Sequence, residues 1–304
     1  MTPRRLLCLV LVAPLLGVAE APSRGWTRVG GPAAVAIDPD RSTIRLSVTD
    51  DRSIAGALSI GTVSVAGGAV LITAEVAGAP EGGLTFAIVD AGTGDSLAHW
   101  RSTRAIDAPT RVTAVLEAAP TSQPARVFVG THRAPSSAEV ADVQFTPTRK
   151  NVDIVTASYG ALVDADRAAG QVFRATGRKL DAVAFRIRQL NADQPNGPDL
   201  RVALYAWQGP KGRGDRPVAE RLLPRRLVPP AGSTGEVEVA VAFGTPLTAG
   251  REYLVEWSPA GPCSSSEAFL LYGGEDRYPR GFRCENGSAT PDRWDLYLQT
   301  FESR

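Results

Sequence analysis

Along most of this chain apolar and polar residues alternate one for one in short runs, each closed by Gly, Pro, Ser or Asp. In the run from Arg111 to Glu117, Val112, Ala114 and Leu116 face one way while Arg111, Thr113 and Glu117 face the other. That is the period-two signature of a strand buried on one face. Similar runs predict strands at 43–48, 69–76, 84–89, 111–116 and 126–129, and then at 182–187, 200–207, 236–243, 252–257 and 295–301. Long stretches with a 3.6-residue period are few, and the 30 glycines and 23 prolines would interrupt one. Many short strands separated by turn chemistry predict an all-β chain built as antiparallel β-sandwiches.

The alternation also assigns faces. On 183–188, Val183, Phe185 and Ile187 turn inward and Arg186 and Arg188 outward. On 200–207, Leu200, Val202, Leu204 and Ala206 turn inward, which leaves Tyr205 and Trp207 for the other face. Tyr297 and Gln299 alternate with Leu296 and Leu298 on the closing strand.

The first residues break the pattern. Arg4 and Arg5 precede an apolar run from Leu6 to Ala19, and Ala19-Glu20-Ala21 places small residues around a cleavage point. This is the layout of a secretory signal peptide, here residues 1–21. Its apolar run is shorter than the ~20 residues of a comfortable membrane span. The expectation is a secreted or extracellular protein, with the bacterial envelope as a second location and no stable membrane span after cleavage. Export leaves Cys263 and Cys284 in an oxidising compartment, which predicts a disulfide between them. The polar stretch Pro147-Thr148-Arg149-Lys150-Asn151 divides two strand-rich halves, so the expected organisation is a sandwich at 22–147, a linker at 148–151 and a second sandwich at 152–304.

In the second half, Gln171-Val172-Phe173 is followed by a strand with Val183, Phe185 and Ile187 and by Leu200-Arg201-Val202-Ala203-Leu204-Tyr205. Phe243-Gly244-Thr245-Pro246-Leu247, Gly250, Tyr253, Val255, Tyr272-Gly273 and Asp295-Leu296-Tyr297-Leu298-Gln299-Thr300-Phe301 complete the succession. This order resembles the accessory jelly-roll domains of the choice-of-anchor type, found on secreted and surface-attached bacterial proteins. The departures are the Arg- and Pro-rich insertion from Gly209 to Pro230 and the cysteine pair. In the first half, 111–116, Ala125-Arg126-Val127-Phe128-Val129-Gly130 and Val140-Ala141-Asp142-Val143-Gln144-Phe145 resemble the last three strands of jelly-roll carbohydrate-binding modules. Ala141 stands where those modules carry an aspartate. The resemblances imply non-catalytic β-sandwiches with a binding or architectural role, and Asp295 as the place for a structural ion where one is present.

Charge and chemistry narrow the function. With 33 basic and 32 acidic side chains the net charge is +1, which argues against a nucleic-acid binder acting through bulk charge. His99 and His132 are the only imidazoles. The stretch Ala231-Gly232-Ser233-Thr234-Gly235 fails the hydrolase elbow at its first position, and Ser264, Ser265 and Ser266 have no histidine nearby in sequence. Glu236 and Glu238 share a strand face, and Arg213-Gly214-Asp215 spells an adhesion tripeptide that chance supplies readily in this composition. No cofactor or metal site is expected from the residues.

The expected function is therefore a non-catalytic binding protein recognising a polysaccharide or cell-surface glycan. Aromatic rings would stack on sugar faces and arginine forks would grip hydroxyl or carboxylate oxygens. The candidate ligand residues are Tyr205, Trp207, Arg186, Arg188, Tyr297 and Gln299. The alternatives are a structural or protein-interaction protein of the cell envelope and a hydrolase with an unrecognised site. Oligomeric state is left open.

Overall fold

A computed structural model describes residues 25–303 except 31–33, 39, 41, 50–54, 103, 132–135, 156–158, 192–196, 230–237, 276–277 and 291–293. The expected signal peptide lies outside the described residues, as do His132 and Glu236. The described secondary structure consists of strands and three short 3-10 turns, and none of its helices is long and apolar enough to cross a membrane. The chain divides into two compact units, Met1–Pro147 and Thr148–Arg304. Both are built from antiparallel sheets in β-sandwich fashion.

In the first unit, one sheet runs in the order Trp26–Val29, Ala55–Ser59, Pro124–Thr131, Thr85–Asp90, Ser96–Arg101. The other joins Val35–Asp38, Thr43–Val48, the start of Ser136–Ile154, Gly68–Ala77 and Thr110–Glu117. Val112, Ala114 and Leu116 are buried while Arg111 and Glu117 are exposed, as one-sided burial of a strand requires. The outer face of the first sheet carries its own small apolar cluster, in which Phe128, Ala87 and Val89 pack with Val29 and Leu58. The Phe128 ring lies across a floor made by two glycines in register, Gly56 and Gly130. A Cβ at either would sit 2.4 or 2.3 Å from a ring carbon.

In the second unit, a front sheet runs Ala219–Leu223, Leu200–Ala206, Glu252–Pro259, Ala169–Arg174, Arg283–Glu285, Ser288–Ala289. The back sheet centres on Lys179–Gln189. One edge of that strand pairs with Glu238–Pro246, and the other pairs with Leu298–Ser303 and then with Phe269–Glu275. Beyond them lie Tyr159–Val163, Trp294–Leu296 and the end of Ser136–Ile154. The core between the sheets takes Leu200, Val202 and Leu204 from one front strand and Tyr253, Val255 and Trp257 from its neighbour. The back sheet supplies Val183, Phe185, Ile187, Leu296 and Leu298. Phe185 meets Trp257 edge to face at 5.3 Å, an arrangement that aligns the ring quadrupoles favourably.

Residues 148–151, expected as a linker, lie within the strand Ser136–Ile154. The Thr148 hydroxyl donates to Asp181 at 2.8 Å and the Asn151 amide donates to Glu302 at 2.7 Å. Polar residues that look like a linker in sequence are thus the partners of carboxylates far along the chain. Between Leu296 and Leu298 the expected closing strand is interrupted, and Tyr297 sits at the break.

The glycine floor under Phe128 makes a direct prediction. In G130A the new methyl group would meet both the ring and the Ala55 carbonyl oxygen, 2.6 Å away, so one of them must shift. Overpacking of this kind costs about 1–3 kcal/mol. Urea denaturation of G130A should show that loss, and a midpoint equal to wild type would mean that the ring does not occupy this floor.

Candidate functional site

The outer face of the front sheet is the first place to look for a site, because alternation sends Arg201, Ala203 and Tyr205 there from one strand and Leu254 and Glu256 from the next. The register aligns Glu220, Ala203, Glu256, Gly170 and Cys284 in one row across five strands. Tyr205 and Trp207 are on this face but not open to solvent: they are 4% and 7% exposed. With Val172, Ala203, Leu254 and Cys284 they form a second apolar cluster, against which Phe282 packs. Phe282 meets Trp207 edge to face at 5.2 Å, and the Arg213 guanidinium lies 4.7 Å from the centre of the Tyr205 ring. The expectation of an uncovered aromatic platform is therefore corrected. Phe282, remote in sequence, and Arg213, from the loop that follows the strand, lie over these rings, as large aromatic surfaces generally demand.

Around that cluster runs a chain of polar contacts. Arg201 donates to Glu220 at 2.8 Å and to the Tyr205 hydroxyl at 3.2 Å. Arg213 pairs with Glu256, a carboxylate only 2% exposed. Burial pushes the Tyr205 phenol up, but hydrogen bonds from Arg213 and Arg201 outweigh it and set the group below its ordinary range. The same contacts engage the arginine of the tripeptide Arg213-Gly214-Asp215, so its guanidinium is committed within its own fold rather than presented on a free loop.

The other four candidates lie on the outer face of the back sheet, so the six do not form one site, and two of the four, Tyr297 and Gln299, are buried rather than open to a ligand. Arg186 stacks 4.5 Å from the centre of the Tyr297 ring. The Tyr297 hydroxyl donates to Glu238 at 2.5 Å, and Glu238 is the register partner of Arg186. Burial raises the Tyr297 phenol well above its ordinary range, and the Glu238 carboxylate adds to the shift. Arg188, two residues on, stacks 5.8 Å from the Tyr272 centroid. Gln299 donates to Asp153 at 2.7 Å, and Asp153 also pairs with Lys150 at 3.1 Å.

No family model matches the chain, and no curated protein matches it. Among solved structures, the N-terminal CBM22-1-CBM22-2 tandem domain from Paenibacillus barcinonensis Xyn10C aligns with 92% of this chain and 94% of that one. The identity is 11% and the TM-score 0.25. A likeness of that size carries no argument about site or ligand.

The expected disulfide is corrected: Cys263 and Cys284 are both free thiols. The Cys284 side chain points into the cluster with Trp207 and Leu254, fully buried. Cys263 is part-exposed, beside Arg225 and Glu267. The serines Ser264 and Ser266 are bonded to each other, and Ser264 caps the turn Ser265–Glu267 through Glu267. Asp295 accepts hydrogen bonds from the Gln171 amide at 2.7 Å and from the Tyr278 backbone N–H at 2.8 Å, so both its oxygens hold protein donors. Among the described residues no group of three His, Cys, Asp or Glu could hold a metal ion.

The alternation in 252–257 was sufficient to place Glu256 outward, and 269–272 could have placed Tyr272. Nothing in the sequence signalled Arg213, because its position depends on where an irregular loop returns to the sheet.

Two outcomes follow. W207A should unfold at a markedly lower denaturant concentration, by about 3–5 kcal/mol as for other buried aromatic truncations; unchanged stability would mean the indole is solvated. Burial pushes the Cys284 thiol up to about 12, from an ordinary value of 9.0. The unfolded thiol ionises first, so this proton's stabilisation is intact below about pH 9 and declines as pH rises toward 12, by about 1.4 kcal/mol per unit. C284A should show a shallower alkaline loss in urea midpoints, whereas parallel curves for the two proteins would rule out a buried thiol.

Proposed function

We propose that the chain is a non-catalytic binding protein that recognises carbohydrate or another surface polymer through the sheet faces of its second unit. One observation carries this: five guanidinium groups of the unit lie over aromatic rings, Arg186 on Tyr297, Arg188 on Tyr272, Arg213 on Tyr205, Arg221 on Phe243 and Arg225 on Phe269. Such pairs occur roughly once per 70–80 residues, so a unit of this size would hold about two. Arg213, Arg221 and Arg225 spend N–H groups on protein acceptors; on the back sheet, stacking orients the Arg188 guanidinium and leaves its N–H edge for an oxygen acceptor, which is the group a sugar presents most.

The polar chain on the front sheet supports a non-catalytic role. Glu256 is covered by Arg213 and Glu220 is tied to Arg201. This is the reverse of two open carboxyls flanking a glycosidic bond. We further propose secretion, from the amino-terminal pattern, and that the two units act as separate modules. The envelope-architecture alternative draws on the same network, which could serve cohesion alone.

The test is retention of the full chain on a panel of insoluble polysaccharides, with reducing sugar measured in the same tubes. The proposal expects retention on at least one polymer with no sugar released. R186A should lower the affinity roughly tenfold, the scale of one charge-assisted hydrogen bond, at unchanged melting temperature. Release of reducing sugar would make the protein a hydrolase, and retention on envelope fractions but on no polysaccharide would favour architecture.

A further inference from the structure

The five stacked arginines are not equivalent. Arg213 is paired with Glu256. Arg221 donates to the carbonyls of Ala242, Phe243 and Glu220, and Arg225 donates to the Glu267 carbonyl at 2.7 Å. Arg186 shares a hydrogen bond with the Tyr297 phenol. Arg188 differs from all of them. Its Nε, like that of Arg186, is buried without an acceptor, but among the described residues no hydrogen bond or ion pair engages its guanidinium and its one partner is the face of Tyr272.

A buried guanidinium N–H without an acceptor costs on the order of 1–3 kcal/mol or more, so a native structure that keeps one needs a reason for it. Among the described residues no carboxylate pairs with Arg188. Arg186 and Arg188 lie on one strand face, about 7 Å apart by strand rise. Leu270 is the register partner of Arg188 on one side. On the other, the described pairing with Glu238–Pro246 places Glu238 opposite Arg186. Among the described residues Glu238 is the carboxylate of this row, and it accepts the Tyr297 hydroxyl. Arg188 remains part-exposed.

We propose that Arg188, flanked by Arg186, is an anion subsite that takes the oxyanion groups of an acidic polysaccharide, an inference that rests on the polymer-binding function above. The Tyr272 face fixes the plane of the guanidinium. A carboxylate or sulfate oxygen then fills the missing acceptor position, in the two-pronged geometry that arginine offers and lysine does not.

The test uses the full chain in affinity gels and calorimetry with three polymers of similar length: a polyuronate, a sulfated polysaccharide and a neutral glucan. Each is run at low and at moderate salt. The wild type should bind at least one acidic polymer more tightly than the neutral one, with affinity falling as salt rises. R188Q should lose at least tenfold on the acidic polymer and little on the neutral one. R188K, which keeps the charge and most of the stem, should retain part of the binding and native stability. R101A, an exposed arginine of the first unit, should behave as wild type. The polyuronate and sulfated arms tell which oxyanion is preferred. If the neutral glucan is retained and neither acidic polymer is preferred, or if R188Q binds the acidic polymer as wild type does, the subsite is wrong and the binding function stands. If no polymer is retained, both fall.

Discussion

Everything in this chain follows from the fact that a strand has two faces and must find cover for each. Facing the core, the solution is the ordinary one: Val, Ile, Leu and Phe from one sheet meet Tyr253, Val255 and Trp257 from the other, and burial of that apolar area drives association of the layers. The outward faces are less ordinary, because they also bear Tyr205, Trp207, Tyr297 and Phe128. Rings of that size cannot be left wet without cost. The first unit lays Phe128 down on two glycines, and the second lays arginines over its rings. An arginine can do this because its face is weakly hydrated while its rim stays polar.

How much of this was visible in the linear chain depends on how local the cause is. The inward residues of 183–188 and 111–117 were legible because alternation is decided by neighbours two residues apart. Arg186 and Arg188 were legible for the same reason. The burial of Tyr205 and Trp207 was not, since it depends on Phe282 and Arg213, which return to the sheet from loops with no periodicity. Pro147 to Asn151 looked like a linker because its polar side chains have their acidic partners, Asp181 and Glu302, some 30 and 150 residues away. The cysteines looked like a pair because both would be exported. Compartment permits a bridge, but only geometry can make one, and the Cys284 thiol turns toward Trp207 instead.

The polar chain from Glu220 to Glu256 and the lone Arg188 show two ways of treating charge on a sheet. In the first, every cation has found an anion within the fold, so the surface is electrically quiet and costly to disturb. In the second, a cation is held in position by a ring that cannot neutralise it. The contrast lies in partners rather than in residue type: the same Arg-on-Tyr stack is a lock when a glutamate lies behind it and an open valence when none does.

The strand Leu298–Ser303 lies between Lys179–Gln189 and the end of Ser136–Ile154, and its Glu302 carboxylate receives the backbone N–H groups of Thr176 and Gly177. The middle of the back sheet is thus completed by the last strand of the unit to be made. A ribosome adds residues in order, so the two neighbours wait, edges unpaired, through the synthesis of more than a hundred residues before the piece that joins them exists. Such long-range closure is slow. For the second unit, vectorial synthesis offers no head start, and its back sheet closes only after this stretch has left the tunnel.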